Sequence, residues 1–251
     1  MKKWLVLALL FTPLASADDT AILTAFNDGR YGEAASLARV EATPDSLAFA
    51  ARSLLAEAMS APDHTPPEPL MLEAEALARR AVELAPNHIE GRLQLAIALS
   101  LRARSMSVRE ARKSGFGSQA KILAEAVLEE DPDNAYGHGF LAVWHVEVVR
   151  RGGSFGSAVM GASVRKARAH YARAIEENPD DASVHWQYAR ALSALNTRKY
   201  RSEIDAALAA AFAATCETHL EHVMQARAEE LQTALITQNR REVEALAEQM
   251  L

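Results

Sequence analysis

Pro44, Pro86, Pro132 and Pro179 each close an alanine-rich helical segment, and each is followed by a polar turn and a fresh apolar run. Their spacings of 42, 46 and 47 residues mark one unit written several times along the chain, and a period of that size belongs to arrays of stacked helical hairpins. Proline cannot donate to the helical ladder, and its ring clashes with the turn before it, so a helix ends at each of these points. Each unit is left with an apolar face that only its neighbours can cover. A stack of this kind offers surface to partners, and function has to be read from the site rather than from the architecture.

Residues 1–17 are written differently. Lys2 and Lys3 give a basic start, Trp4 to Leu14 an apolar run too short to span a bilayer as a mature helix, and Ala15-Ser16-Ala17 a small-residue cleavage site. The expectation is a secretory signal peptide over 1–17 and a mature chain from about Asp18, periplasmic in a cell with two membranes. An uncleaved N-terminal anchor is the competing reading. No cysteine follows the cleavage site and no later stretch is apolar enough to cross a membrane, so no transmembrane segment is expected in the mature chain.

Removing Lys2 and Lys3 from the 27 basic residues leaves 25 against 33 acidic ones, a net charge of −8. That balance disfavours nucleic acid and anionic lipid as partners. Cys216 is the one cysteine, so no internal disulfide can staple the fold in an oxidising compartment. Packing of alanine and leucine has to suffice. Glycine is sparse and β-branched runs are nearly absent, which argues against a sheet.

Ala74, Ala78, Ala81 and Pro86 place small residues and a terminating proline as the second helix of a tetratricopeptide pair does, and Ala167, Tyr171, Ala174 and Pro179 repeat the arrangement. Asn87, Asp133 and Asp180, just past the prolines, are expected to cap the next helix. Leu95-Ala96, Leu141-Ala142 and Tyr188-Ala189 share one offset from the preceding proline, where a large and a small residue let helices approach. Gly29, Tyr31 and Ala34 resemble the turn and second helix of a shorter first copy. The fold expected is all-α, a tetratricopeptide-like right-handed solenoid of antiparallel helix pairs with extended inserts. It divides into an N-terminal hairpin over 18–60, a proline-rich linker over 61–69, and a repeat domain over 70–251 with C-terminal capping helices.

The period exceeds the usual value of about 34 residues by roughly a dozen. The excess falls at Met106 to Ser118 and at Arg151 to Val164, inside a pair, and each segment holds a glycine-flanked phenylalanine: Gly115-Phe116-Gly117 and Gly153-Ser154-Phe155-Gly156. A structural plug and a mobile lip are both compatible with that composition. Lys113-Ser114-Gly115-Phe116, Ala126 to Pro132, Leu141-Ala142-Val143-Trp144-His145-Val146-Glu147-Val148, Tyr171-Ala172-Arg173-Ala174 and Asn178-Pro179 together resemble the regulator of microtubule dynamics protein family over roughly Leu70 to Phe212. The resemblance implies an extended tetratricopeptide-type scaffold with a non-enzymatic, partner-binding role. Members act as adaptors linked to microtubules and organelle membranes, a setting that an exported chain does not share.

In such a stack the first helices line the concave face, here near Ile89 to Arg104, Ala135 to Arg150 and Ala182 to Asn196. Their outward positions are the candidate groove: Glu90, Leu93 and Ile97, then Tyr136, Val143 and Glu147, then Ser183, Trp186 and Arg190. The set is mixed apolar and polar, as peptide and small-ligand grooves are, and it lacks a cluster of Lys, Arg and Asn to clamp a terminal carboxylate. Trp144, His138 and His145 read as packing residues.

Catalytic chemistry has little support. Cys216, His219 and His222 share a helix face, but a helical trio lacks a fourth ligand and the turn that closes structural zinc sites, so no metal is expected. There is no H-E-x-x-H, no phosphate-cradling loop and no nucleophile elbow, and no cofactor is expected. Val243, Leu246, Ala247 and Met250 recur on one helical face, which reads first as a cap on the open end of the stack and second as a subunit contact. The function expected is a non-catalytic exported scaffold or adaptor that binds a protein or peptide partner of the cell envelope in its concave groove. The alternative is a small-ligand-binding accessory of an envelope transporter.

Overall fold

The structure, a computed structural model, describes residues 17–250. The leader expected at 1–17 falls outside the described residues apart from Ala17. Among the described residues the regular structure is thirteen α-helices: α1 (Ala17–Asn27), α2 (Tyr31–Ala38), α3 (Pro44–Met59), α4 (Glu68–Leu84), α5 (Ile89–Arg104), α6 (Val108–Ser114), α7 (Phe116–Glu130), α8 (Ala135–Met160), α9 (Val164–Glu177), α10 (Ala182–Asn196), α11 (Arg201–Ala213), α12 (His219–Thr237) and α13 (Arg240–Gln249). They pack as successive pairs, α1 with α2, α3 with α4, α5 with α7, α8 with α9 and α10 with α11, and α12 with α13 ends the stack.

Three of the four prolines sit in one kind of turn. Ala85, Asp131 and Asn178 end their helices, and the proline follows directly. Two residues beyond the proline stands the cap of the next helix: His88 accepts from the Gly91 N–H at 2.9 Å, Asn134 from Gly137 at 2.8 Å and Asp181 from Val184 at 3.1 Å. The caps expected at Asn87, Asp133 and Asp180 are therefore one residue early. The residue next to the proline still belongs to the turn, and an N-cap needs extended backbone to aim its side chain at the exposed N–H groups. Six residues beyond each proline, Arg92, His138 and His185 donate to that proline's own carbonyl at 2.8, 3.0 and 2.9 Å. Pro44 differs: it is the first residue of α3, behind a Thr43–Ser46 capping box, and opens a helix instead of following one.

The helix crossings fall where alanine permits close approach. Ala74, Ala78, Ala81, Ala167 and Ala174 are fully buried, and the large-small pairs Leu95-Ala96, Leu141-Ala142 and Tyr188-Ala189 lie in the core with them. Two large apolar clusters result, one built from α1 to α5 with part of α7 and one from α8 to α13, with a small third of Leu47, Ala48 and Ala81, and Met59 and Leu220 pack against both large ones.

The proline-rich stretch departs from its expected place. It is the loop between α3 and α4, which pack on each other in one cluster, so the first hairpin is α1 with α2 and α3 belongs to the second pair. A run of prolines is a stiff connector, and its composition does not reveal which helices it joins. The inserts are local elaborations. The first holds α6; the second is a continuation of α8 beyond a kink at Gly153, whose φ of 58° and ψ of −159° suit only glycine.

The stack curls until its ends meet. The Tyr31 hydroxyl lies 3.2 Å from His219 Nδ1, and the buried Arg227 of α12 donates to the carbonyl of Met59 and, at 2.8 Å, to that of Ala61. Gly29 is at φ 79°, and a Cβ there would stand 2.6 Å from the His219 ring, so both conformation and space demand glycine at this junction. Val243, Ala247 and Met250 of the C-terminal segment are buried against α10, in the position of a cap.

Candidate functional site

Closure of the stack turns its concave face into a basin of about 2500 Å³, lined by the first helices of successive pairs, α1, α3, α5, α8, α10 and α12. Eight of the nine residues singled out in the sequence line it. Leu93 is buried in its wall; Glu90, Ile97, Val143, Glu147 and Ser183 are half-buried; the Tyr136 ring is 42% exposed; Arg190 is closed off at its floor. Trp186 is the ninth, and it does not reach the basin. It is wholly buried in the core beside Tyr188 and Leu192. Apolar and groove-facing positions differ by one residue on a helix, about 100° of rotation, and α10 meets neighbours on several sides.

The same displacement hid residues that do line the basin. Gln94, Phe140 and Gln187 stand eight residues beyond their prolines and all face the cavity, as do Phe26, Phe49 and Arg52 from α1 and α3 and Leu220, Glu221 and Met224 from α12. The eight-residue offset could have been read from the sequence. The contribution of α1, α3 and α12 could not, because it depends on how far the stack curls.

The floor is charged, against expectation. Glu147 accepts from Arg150 at 2.9 Å and from Arg190 at 3.0 Å, with Arg104 at 3.9 Å. Burial pushes its carboxyl up, but Arg190, Arg150 and Arg104 outweigh that and hold it down to about 2. Arg104 shows the opposite balance, brought down to about 9 by burial and then by Arg190. The last helix completes the arrangement: Arg104 donates to the carbonyls of Glu248 and Met250 at 2.8 and 2.9 Å, Arg190 to that of Ala247 at 3.3 Å, and Arg150 pairs with the Glu248 carboxylate at 2.6 Å. This arginine cluster is spread over three helices, and its members meet only when α5, α8 and α10 are side by side. They already hold Glu147 and the C-terminal segment, so their charge is satisfied within the fold.

Aromatic and apolar side chains line the rest of the wall. Tyr136 presents its ring to the cavity while its hydroxyl bonds the Asp181 carboxylate. Phe155 and Val159 stand at the rim 68% and 65% exposed. The two glycine-flanked phenylalanines have parted company. Phe116 is half-buried against the first cluster with the Arg102 guanidinium 4.8 Å over its ring, whereas Phe155 projects into solvent.

His138, His145, His170 and His185 are packing groups. His138 Nδ1 is 2.9 Å from His170 Nδ1, His145 stacks on His170, and His185 bonds the Tyr171 hydroxyl at 2.7 Å. Burial first, and the adjacent imidazole second, bring His145 and His170 down to about 4, so both are neutral near pH 7. Trp144 is buried and donates to the Gly117 carbonyl at 2.9 Å. His219 is turned toward Tyr31, and among the described residues no group of three His, Cys, Asp or Glu side chains is arranged to hold a metal. The Cys216 thiol is raised by burial and by Glu221, away from the reactive range. Among the described residues no helix is long and apolar enough to cross a membrane.

No family model matches the chain, and neither does any curated protein. Among solved structures, a thermophilic TPR protein of Thermus thermophilus superposes with a TM-score of 0.60 at 20% identity, over 85% of this chain and 98% of that one. At that identity the likeness concerns fold alone: the chain has a tetratricopeptide-like helical solenoid fold.

Proposed function

We propose that this protein is a non-catalytic adaptor, exported to the cell envelope, that holds an extended segment of a partner protein in its basin. One observation carries the reading: six helices converge on a largely apolar cavity of about 2500 Å³. Small-molecule pockets occupy about 300–1,000 Å³, so the space here is at least twice what a compact ligand needs, and it suits a chain. Solenoids of this kind present concave faces to protein partners. Kinship with the regulator of microtubule dynamics family belongs to the same proposal and rests on the inserts and the tryptophan segment.

A second reading, a carrier of an apolar small ligand, is favoured by the predominantly apolar lining of the cavity. A photoreactive side chain at Gln187, inside the basin, separates the two. Crosslinked peptides identified by mass spectrometry are expected from envelope extracts under the first reading. If no peptide is captured and native mass spectrometry shows a bound small molecule, the adaptor is overturned and the carrier stands. Export itself is checked by N-terminal sequencing, which is expected to start at Asp18.

A further inference from the structure

Beyond the basin, the two inserts form one surface. Arg151 of the second insert donates to the carbonyls of Ala103 and Met106 at 2.8 and 2.6 Å, and Met160 lies close enough to Gly117 to touch a Cβ placed there. Met106 and Gly117 belong to the first insert and Arg151 and Met160 to the second, so the two are in contact, and Val108, Arg112, Phe155 and Val159 all line the basin. The three apolar side chains are 54%, 68% and 65% exposed. Phe155 and Val159 are four residues apart, on one side of their short helical segment.

Their setting is basic. Helix α6 carries Arg109, Arg112 and Lys113, all exposed and none in an ion pair among the described residues. Its single acid, Glu110, is turned back to the Ser107 backbone and hydroxyl in a capping box, and those hydrogen bonds lower its carboxyl. A local excess of positive charge on a chain of net charge −6 is an asymmetry that net charge conceals. Exposed apolar side chains grouped beside basic ones mark an interaction surface. Three side chains of at most about 200 Å² each fall short of the roughly 800 Å² per partner that a stable protein interface buries. A bilayer asks for less: a few apolar side chains at the headgroup boundary and cations over anionic lipid.

We infer that the paired inserts are a docking surface for an anionic membrane, with Phe155 and Val159 entering the headgroup boundary and Arg109, Arg112 and Lys113 held by lipid phosphates. The basin would then open toward the bilayer. The overall negative charge of the chain does not oppose this, because screening confines electrostatic attraction to about 8–10 Å at physiological salt, and Glu110 and Glu147 of the adjoining elements are already held by Ser107 and by arginines.

The test is flotation of the chain expressed from Asp18 with vesicles of phosphatidylcholine alone and of phosphatidylcholine with phosphatidylglycerol. Binding is expected only with phosphatidylglycerol, and it should weaken as salt is raised. Arg112→Glu with Lys113→Glu should lower it by at least about tenfold, since each surface cation contributes about fivefold. Phe155→Ser with Val159→Ser should also lower it, and circular dichroism should be unchanged in both variants because all four residues are exposed. Equal binding to both vesicle types, binding insensitive to either variant, or capture of an acidic peptide without any vesicle binding would each overturn the inference. None of these outcomes bears on peptide capture at Gln187, so the two proposals fail separately.

Discussion

The arginine cluster and the insert rim of the basin lie side by side, bridged by Arg151, and follow opposite rules. In the cluster, charges are largely buried, mutually paired and bonded to the C-terminal segment; at the rim, apolar side chains stand in water beside cations that form no ion pair among the described residues. A buried ion cluster is tolerated only when each charge is satisfied, so the floor is committed to structure. An exposed apolar rim has no such commitment.

The largest break in that contrast should come from Glu147→Gln, which leaves Arg104, Arg150 and Arg190 facing one another. A loss of about 3–5 kcal/mol is expected, read as a shift of the urea midpoint at unchanged slope. The same residue sets an acid limit. Its folded carboxyl titrates near 2 against about 4.3 unfolded, so its stabilisation is present above that unfolded value and is lost as pH falls toward 2. His145 and His170, near 4 when folded and about 6.5 unfolded, lose theirs earlier, as pH falls from 6.5 to 4. Stability measured against pH should show both windows in the parent and only the upper one in the Glu147→Gln variant.

Next in size is the seam that closes the stack. Arg227→Ala removes the donor to the part-buried carbonyls of Met59 and Ala61, and a cost of about 1–3 kcal/mol is expected. If the seam holds the basin shut, amide exchange in α1 and α12 should accelerate while α8 and α9 are unaffected. The smallest effects compare the two phenylalanines. Phe116→Ala, half-buried under Arg102, should cost about 1–2 kcal/mol, and Phe155→Ala no more than about 0.5 kcal/mol. Similar losses from both would mean that the second insert folds down onto the stack in solution.

Much of this is legible in the sequence because it is local. Helix ends follow from prolines and capping residues, and the spans read for the first helices of the third and fifth pairs coincide with α5 and α10. The residues singled out line the basin wherever a helix has one outward face, as at Leu93, Ile97 and Val143. Trp186 is the exception, because α10 is covered by α8, α12 and α13 together and an apolar residue there is claimed by the core. The arginine cluster escapes a sequence reading for the same reason: Arg104, Arg150 and Arg190 are 46 and 40 residues apart in the chain and share no local pattern.

The amino-acid sequence alone determined a stack of helix pairs with two inserts, since period, proline placement and alanine seams act over a few turns of helix. Only the tertiary structure decided that the stack curls until Tyr31 meets His219, that its last helix seals one end, and that two phenylalanines in nearly identical glycine contexts have opposite fates. Curvature is the sum of small rotations between successive pairs, and no single pair encodes it.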